Sequence, residues 1–354
     1  MTELLLKDVS HEYVTGVKAV DNLNLKVRHG EFFGLLGPSG CGKTTTLKII
    51  SGLLIPTEGR VYFDEQDVTQ LTPQERDVAM IFQFPVVYDT TVYKNLAFPL
   101  ENMKKPKEEI HRRVMEAAEL LELKDVLNVN ARKLDMGTRQ RVALGRALVR
   151  DPRLFLLDEP LSAVDPGTRW RLRAKLKELQ KIINQTMIYV THDQTEALTL
   201  CEKIAVMNQG RIIQCDKPED LLHNPKNMFV AYFIGSPGMN FLKGSLKNSE
   251  LDFGEFKYDV SEFKDVLAKY TEVTMGIRPE NVVVSVEKVP EGVKMVCESV
   301  VIVGSTRLLT LRTGAIEIKA KIPVTQEVEV GDNVWISFPR DKIVFFDRSG
   351  ERII

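Results

Sequence analysis

Residues 37–44 read GPSGCGKT, which fits a G-x-x-x-x-G-K-[ST] loop, a spacing that lets a backbone wrap around phosphate oxygens. Gly37, Gly40 and Gly42 allow close approach of backbone N–H groups, and Pro38, Ser39 and Cys41 fill the places between them. Lys43 is placed to meet the β and γ phosphates of a nucleotide. Thr44 offers a hydroxyl to Mg²⁺, a cation that takes hard oxygen ligands, and Thr45 carries the loop into a helix. An apolar run at 32–36 precedes the loop and TTLKII follows it. The motif therefore has the strand before it and the helix after it that phosphate binding needs, and the helix N-terminus adds favourable partial positive charge.

A phosphate loop alone leaves kinases, GTPases and recombinase-type motors open, since one device serves many chemistries. A second signal narrows the choice. The apolar LFLL at 154–157 runs into Asp158 and Glu159. Alone, such a pair reads as a solvated strand end. Beside a phosphate loop it supplies one carboxylate, Asp158, for Mg²⁺ and a second, Glu159, to orient or deprotonate an attacking water.

These residues need a scaffold that brings distant strand ends together. Short β-rich runs alternating with amphipathic stretches to about residue 233 predict an α/β domain with a largely parallel sheet. Leu172, Leu176, Leu179 and Ile183 recur at helical spacing and predict a core-facing helix. At Gly235 a GSPG cluster interrupts the pattern, and alternation at 315–322 with short apolar runs at 334–338 and 343–346 predicts a β-rich second domain. The expected division is residues 1–235 and 236–354.

With 354 residues the chain has room for two cores. Its 48 Lys and Arg against 49 Asp and Glu give no general attraction to nucleic acid or acidic lipid, so no nucleic-acid partner is expected. No run of about 18 apolar residues is present, and the MTELLLKDVSHEY start lacks the basic and small-residue features of a signal peptide. A cytoplasmic protein is expected, any membrane role resting on partners. The four cysteines show no metal-ligand spacing and no disulfide framework. Cys41, near Lys43 and a helix N-terminus, sits where a thiol's pKa can be lowered, although the expected reading is an ordinary loop thiol and not an oxidation-sensitive one.

LLDEPLSAVD at 156–165, TTLKIISGLLIPTEG at 45–59 and YVTHDQTEAL at 189–198 resemble the ATP-binding-cassette (ABC) ATPases over the whole first domain. The resemblance implies an ABC-type P-loop NTPase fold with a helical subdomain and hydrolysis of ATP with Mg²⁺. By the same resemblance Gln83 in MIFQFP is the residue that senses Mg²⁺ and γ-phosphate and meets the membrane partner, with Tyr88 and Tyr93 nearby. His192 matches the switch histidine on the γ-phosphate, Asp165 the D-loop residue at a dimer interface, and Tyr13 the aromatic that stacks on adenine. Without the resemblance, Gln83 reads as a strand-end amide and Tyr13 as a strand tyrosine.

The family signature, usually LSGGQ, reads LDMGT here, with Asp135, Met136 and Thr138 substituted and Leu134 and Gly137 retained. In the family this segment reaches the partner's γ-phosphate, so Asp135 would bring a like charge. Two unit charges about 4 Å apart at an effective dielectric of about 20 repel by about 4 kcal/mol. Met136 would crowd a glycine position. Two readings follow: a heterodimer in which a second ATPase subunit supplies an intact signature, or a homodimer that tolerates the change. Pro166 and Gly167 also depart from the family's wording, and proline at a first helical turn would reset the helix start.

GSPGMNFL at 235–242 and MGIRPENV at 275–282 resemble the all-β, OB-like (TOBE-type) accessory domain of maltose and glycerol-phosphate importer ATPases. That implies permease subunits in the membrane, an extracellular solute-binding protein, a place at the cytoplasmic face of the membrane, and a sugar or sugar-like polyol as cargo. Related barrels accompany polyamine, iron and sulfate importers. A non-transport ABC ATPase would need a coiled coil, zinc insertion or second cassette, none of which is evident in the sequence.

Overall fold

The computed structural model describes residues 2–162 and 164–354. They form two compact units, residues 1–218 and 219–354.

In the first unit, β1 (Leu4–Glu12) and β2 (Lys18–Val27) make an antiparallel hairpin. Its turn is closed by Tyr13 N–H to Val17 O (3.0 Å) and Gly16 N–H to Tyr13 O (2.8 Å). β3 (Phe32–Leu36) enters α1 (Lys43–Ser51), and β4 (Glu58–Phe63) and β5 (Gln66–Asp67) join the hairpin as a four-stranded sheet ordered β2-β1-β4-β5. This sheet is antiparallel and departs from the parallel expectation. The physical reason for the β1–β2 and β4–β5 pairs is the connection: a tight turn can only return the chain beside itself, whereas parallel pairing needs a crossover.

After α2 (Pro73–Arg76) and β6 (Val78–Ile81), three consecutive helices α3 (Val92–Asn102), α4 (Lys107–Leu120) and α5 (Met136–Leu148) form the helical subdomain. β7 (Leu154–Asp158), α6 (Pro166–Ile183), β8 (Met187–Thr191), α7 (Gln194–Leu200), β9 (Lys203–Asn208) and β10 (Arg211–Asp216) complete the unit. The second sheet is ordered β10-β9-β3-β8-β7-β6, parallel from β9 to β6 with β10 antiparallel at one edge. Every residue of β3, β7 and β8 is buried, which explains their unbroken apolar runs. Pairing of Leu36 with Thr191 and of Asp158 with Val190 levels their carboxyl ends, so the polar residues that follow emerge side by side.

Helix α6 buries Leu172, Leu176 and Leu179, with Ile183 partly covered. Its cap is Asp165, which accepts from Thr168 N–H (3.0 Å), and Pro166 sits in the first turn, so the Pro-Gly pair sets the helix start. Helix α1 ends on an unusual cap. Arg76 has no exposed surface, and its guanidinium donates to Ile49 O (2.7 Å), Ile50 O (2.8 Å), Thr69 O (2.8 Å) and Leu71 O (3.0 Å). It ties the carbonyl end of α1 to the segment leading into β6, where a cation also suits the helix dipole.

The second unit begins with α8 (Pro218–His223) and α9 (Met228–Phe233). The compact division thus falls ahead of the turn cluster at Gly235, because both helices are fastened to the strands that follow. Arg278 donates to Leu222 O and Ile234 O, and Ala231 packs with Val344 and Phe346. The strands are β11 (Asn240–Lys247), β12 (Glu250–Asp252), β13 (Lys257–Asp259), β14 (Glu272–Ile277), β15 (Val283–Ser285), β16 (Val293–Val303), β17 (Thr306–Thr313), β18 (Ile316–Pro323), β19 (Asn333–Ser337) and β20 (Ile343–Phe346), with α10 (Lys264–Leu267) between β13 and β14. They make two five-stranded antiparallel sheets, β13-β12-β11-β14-β20 and β15-β19-β16-β17-β18. One apolar core containing Met275, Leu309, Ile318, Val334 and Phe345 draws on both.

Arg76→Leu should lower the stability of the first unit by about 3 kcal/mol or more, because it removes a shared donor from four carbonyls at once, three of the bonds being buried. Thermal unfolding of the variant beside wild type measures this, and an unchanged midpoint would remove the capping role.

Candidate active site

The loop between β3 and α1 is shaped by two glycines that nothing else could replace. A Cβ on Gly37 would lie 2.4 Å from Met207 O, and one on Gly42 would lie 2.3 Å from Ala19 O with φ at 103°. Gly40 has φ at 79° with open space around it, so only its backbone conformation calls for glycine. Lys43 is buried and folds its ammonium back onto Gly37 O (2.8 Å) and Pro38 O (3.0 Å), bracing the loop with the charge held inside it.

Thr44 donates from Oγ1 to Asp158 Oδ1 at 3.2 Å, joining α1 to the end of β7. Asp158 is buried, and desolvation pushes its carboxyl above the usual range while Thr44 opposes the shift. A hydroxyl and a carboxylate side by side are the hard oxygen donors that Mg²⁺ requires, and a buried carboxylate gains from a cation.

Glu159 has φ at 45°, a left-handed conformation rare for a residue with a side chain. Its backbone is fixed by N–H donation to Val190 O (2.9 Å) and by Ser162 Oγ donating to Glu159 O (2.9 Å). This turns the carboxylate toward β8, where His192 Nδ1 donates to Glu159 Oε2 at 2.9 Å. Residues 33 apart in sequence thus share one hydrogen bond in front of the phosphate loop.

Tyr13 places its hydroxyl 3.1 Å from Thr45 Oγ1 and meets His11 edge-on with ring centroids 4.9 Å apart. Its ring stays partly open at the start of α1, where a base attached to bound phosphates could stack. Gln83 follows β6 and is exposed, so the chain itself does not join it to the cluster of Lys43, Thr44, Asp158, Glu159 and His192.

The segment at 134–138 lies apart from that cluster. Asp135 is the N-cap of α5: Oδ1 accepts from Thr138 N–H (2.9 Å) and Oδ2 from Thr138 Oγ1 (2.6 Å). These bonds, the Thr138 hydroxyl first, hold the Asp135 carboxyl below the usual range. The substituted aspartate and threonine thus form a matched pair that closes the helix start, a task serine would also perform. Met136 is 38% exposed. Gly137 is buried, with space for a Cβ limited by Thr168 Cγ2 at 3.1 Å, which places this helix start against the start of α6 beside Asp165.

Burial supports the ordinary reading of Cys41 over the reactive one. Cys41 is buried, and desolvation pushes its thiol pKa up, outweighing Lys43 and the helix N-terminus. The motif's spacing shows the nearby positive charge but not the burial that overrides it.

Three polar residues that sequence reasoning passed over support the site. Arg76 caps α1. Asn95 is fully buried in α3, accepts from Tyr88 N–H (2.8 Å) and donates to Tyr88 O (3.1 Å), pinning the loop after β6. Glu196 in α7 is buried behind the end of β8. Of the three only Asn95, set among Val92, Leu96 and Leu100, carries a signal in the sequence; Arg76 and Glu196 lie in polar segments, TPQERD and THDQTE, that read as solvated surface.

Comparisons with known proteins agree with this arrangement. Residues 20–162 match the family model described as ABC transporter, residues 235–282 the MalK OB fold domain and residues 275–346 the TOBE domain. The chain is 44% identical to the trehalose/maltose import ATP-binding protein MalK of Thermococcus litoralis over 357 residues, 96% of each chain. It is 40% identical to the oligosaccharides import ATP-binding protein MsmX of Bacillus subtilis, covering 99% of each. Among solved structures, the ATP-binding cassette MJ0796, described as a dimer in a post-hydrolysis state bound to ADP and Pi, is 33% identical with a TM-score of 0.55, covering 61% of this chain and 98% of that one.

Gly42→Ala should weaken nucleotide binding at least about a hundredfold, since the backbone clash adds to the strained φ, whereas Gly40→Ala, which meets only the left-handed strain of about 1–2 kcal/mol, should weaken it about tenfold or less. Titration with a fluorescent nucleotide compares the two. Cys41→Ser should leave sensitivity to thiol oxidants unchanged, and protection by that change would show that the thiol is reactive after all.

Proposed function

The chain belongs to the ABC transporter family and is an ABC-type ATPase, and from that premise we propose that it energises an importer for a sugar or a sugar-like polyol or glycerol-phosphate solute. Its cargo class is supported by the names of MalK and MsmX and by the OB and TOBE matches in residues 235–346. The proposed functional division is residues 1–235 for nucleotide work and 236–354 for accessory or regulatory contacts.

The observation that carries the mechanism is the Glu159–His192 hydrogen bond in front of the phosphate loop. Backbone N–H groups at 37–45 and the ammonium of Lys43 hold the β and γ phosphates, and Tyr13 stacks on adenine. Thr44 and Asp158, with Gln83, would hold Mg²⁺. When bound, Mg²⁺ neutralises phosphate charge, which the buried Asp158 carboxylate matches. Glu159 orients the attacking water and accepts its proton, while His192, held by Glu159, contacts the γ-phosphate. Gln83 at the β6 end carries the state of the site to the membrane partner.

A cleft of about 540 Å³ beside that loop, whose lining includes Met80, Tyr88, Phe98, Met103 and Arg146, fits a permease segment. Arg146 lies 4.9 Å over the Tyr88 ring and stiffens its wall. Among the described residues no helix is long and apolar enough to cross a membrane. In this reading the chain sits at the cytoplasmic face of the membrane on permease subunits, and a solute-binding protein delivers cargo from outside.

The signature segment supports an asymmetric pair. Asp135 is held ionised by its cap, and its charge would face a partner's γ-phosphate with Met136 beside it. A second ATPase subunit with an uncharged signature would complete the site built on Lys43, Asp158, Glu159 and His192. The site built on Asp135 would bind nucleotide and turn it over slowly.

In the assembled transporter, Glu159→Gln should lower kcat by about 10²–10⁴-fold with ATP affinity retained. The isolated Glu159→Gln chain should keep the mass of a monomer in solution with ATP and Mg²⁺. An ATP-dependent homodimer would overturn the asymmetric pair, and undiminished turnover would overturn the role of Glu159.

A further inference from the structure

Behind the end of β8, on the side away from Glu159, a buried carboxylate is joined to the turn that carries His192. Glu196 is 2% exposed, and its Oε2 accepts from Tyr189 Oη at 2.9 Å and from Thr191 Oγ1 at 2.8 Å. Tyr189 and Thr191 are two apart on β8, so their side chains leave the same face of the strand. Thr191 Oγ1 in turn accepts from Asp193 N–H at 2.9 Å, and Asp193 Oδ1 accepts from Thr195 N–H (2.7 Å) and Glu196 N–H (3.2 Å) at the start of α7. His192 lies between the two residues so fixed, and its ring emerges toward Glu159.

A carboxylate in this place is costly, and burial raises its pKa. Arg169 adds favourable charge from a distance, but its Nη2 is bonded to Ser162 O (3.3 Å) and Val164 O (2.9 Å). An apolar residue would fill the same space in α7 without desolvating an acid. What it could not do is accept two hydroxyls at one oxygen and thereby lock the backbone on both sides of position 192.

We propose that Glu196 is a positioning residue for hydrolysis: through Tyr189 and Thr191 it holds the turn at 191–193 so that His192 meets Glu159 and the γ-phosphate. This rests on the reading of His192 given above. Glu196 touches neither nucleotide nor water, and its contribution passes entirely through the histidine.

The test is steady-state ATP turnover by the assembled transporter, purified with the subunits that bind this chain, in which the chain carries Glu196→Ala, Glu196→Gln, Thr191→Val or His192→Ala, or the double variant Glu196→Ala/His192→Ala. Glu196→Ala should lower kcat about tenfold, on the order of one hydrogen bond to a charged group, with KM for ATP within about twofold. Glu196→Gln, whose amide oxygen can accept both hydroxyls, should recover activity to within about threefold. In the His192→Ala background Glu196→Ala should cause no further loss. Thr191→Val keeps the size of the side chain and should reproduce the kcat loss even where Glu196→Ala folds poorly. An equal fold-loss in the His192→Ala background, or a loss in KM in place of kcat, would overturn the positioning role. Full activity of His192→Ala would instead overturn the reading of the histidine on which it rests.

Discussion

The register of the parallel strands is the constraint on which the site depends. β3, β8 and β7 pair so that Leu36, Thr191 and Asp158 end at one level, and the chain leaves each strand with a different polar residue. A slip of one residue would turn each strand's side chains to the opposite face and separate these groups. The buried, unbroken apolar character of the three strands holds them in place, because both faces of each lie within the core. Catalytic geometry is therefore inherited from packing: Thr44 reaches Asp158, and His192 reaches Glu159, because their strands cannot slide.

Around this frame, buried polar side chains tune what the strands deliver. Arg76 satisfies the carbonyl end of the helix whose other end forms the phosphate loop, and Asn95 pins the loop that follows Gln83. The first couples helix α1 to the 69–76 segment that leads into β6 and, beyond it, to Gln83. Their satisfied hydrogen bonds explain how such groups sit among apolar neighbours without destabilising the fold.

The altered signature shows a substitution acting at two levels. As a local device, Asp135 with Thr138 makes a well-bonded helix start, so the change is consistent with the fold of the chain. As a surface presented to another subunit, it carries an ionised carboxylate. A residue can thus be favourable for its own helix while presenting a charge at the surface, and the proposed asymmetric pair rests on that charge.

Much of this was legible in order along the chain. The phosphate loop, the Asp158–Glu159 pair, the helix over 171–183 and the strand at 343–346 follow from local rules: glycine spacing, apolar runs ending in acids, and side-chain periodicity. The antiparallel β1-β2-β4-β5 sheet, the attachment of α8 and α9 to the second unit, the high pKa of Cys41 and the roles of Arg76, Asn95 and Glu196 were not legible. Each depends on which distant groups surround a residue once the chain is packed. Sequence by itself determined the chemistry available, because residue type and spacing set what can bind phosphate or move a proton. Only the tertiary structure decided which of these groups meet and how strongly each is desolvated, because burial and hydrogen-bond partners are properties of the folded surroundings and not of the neighbouring letters.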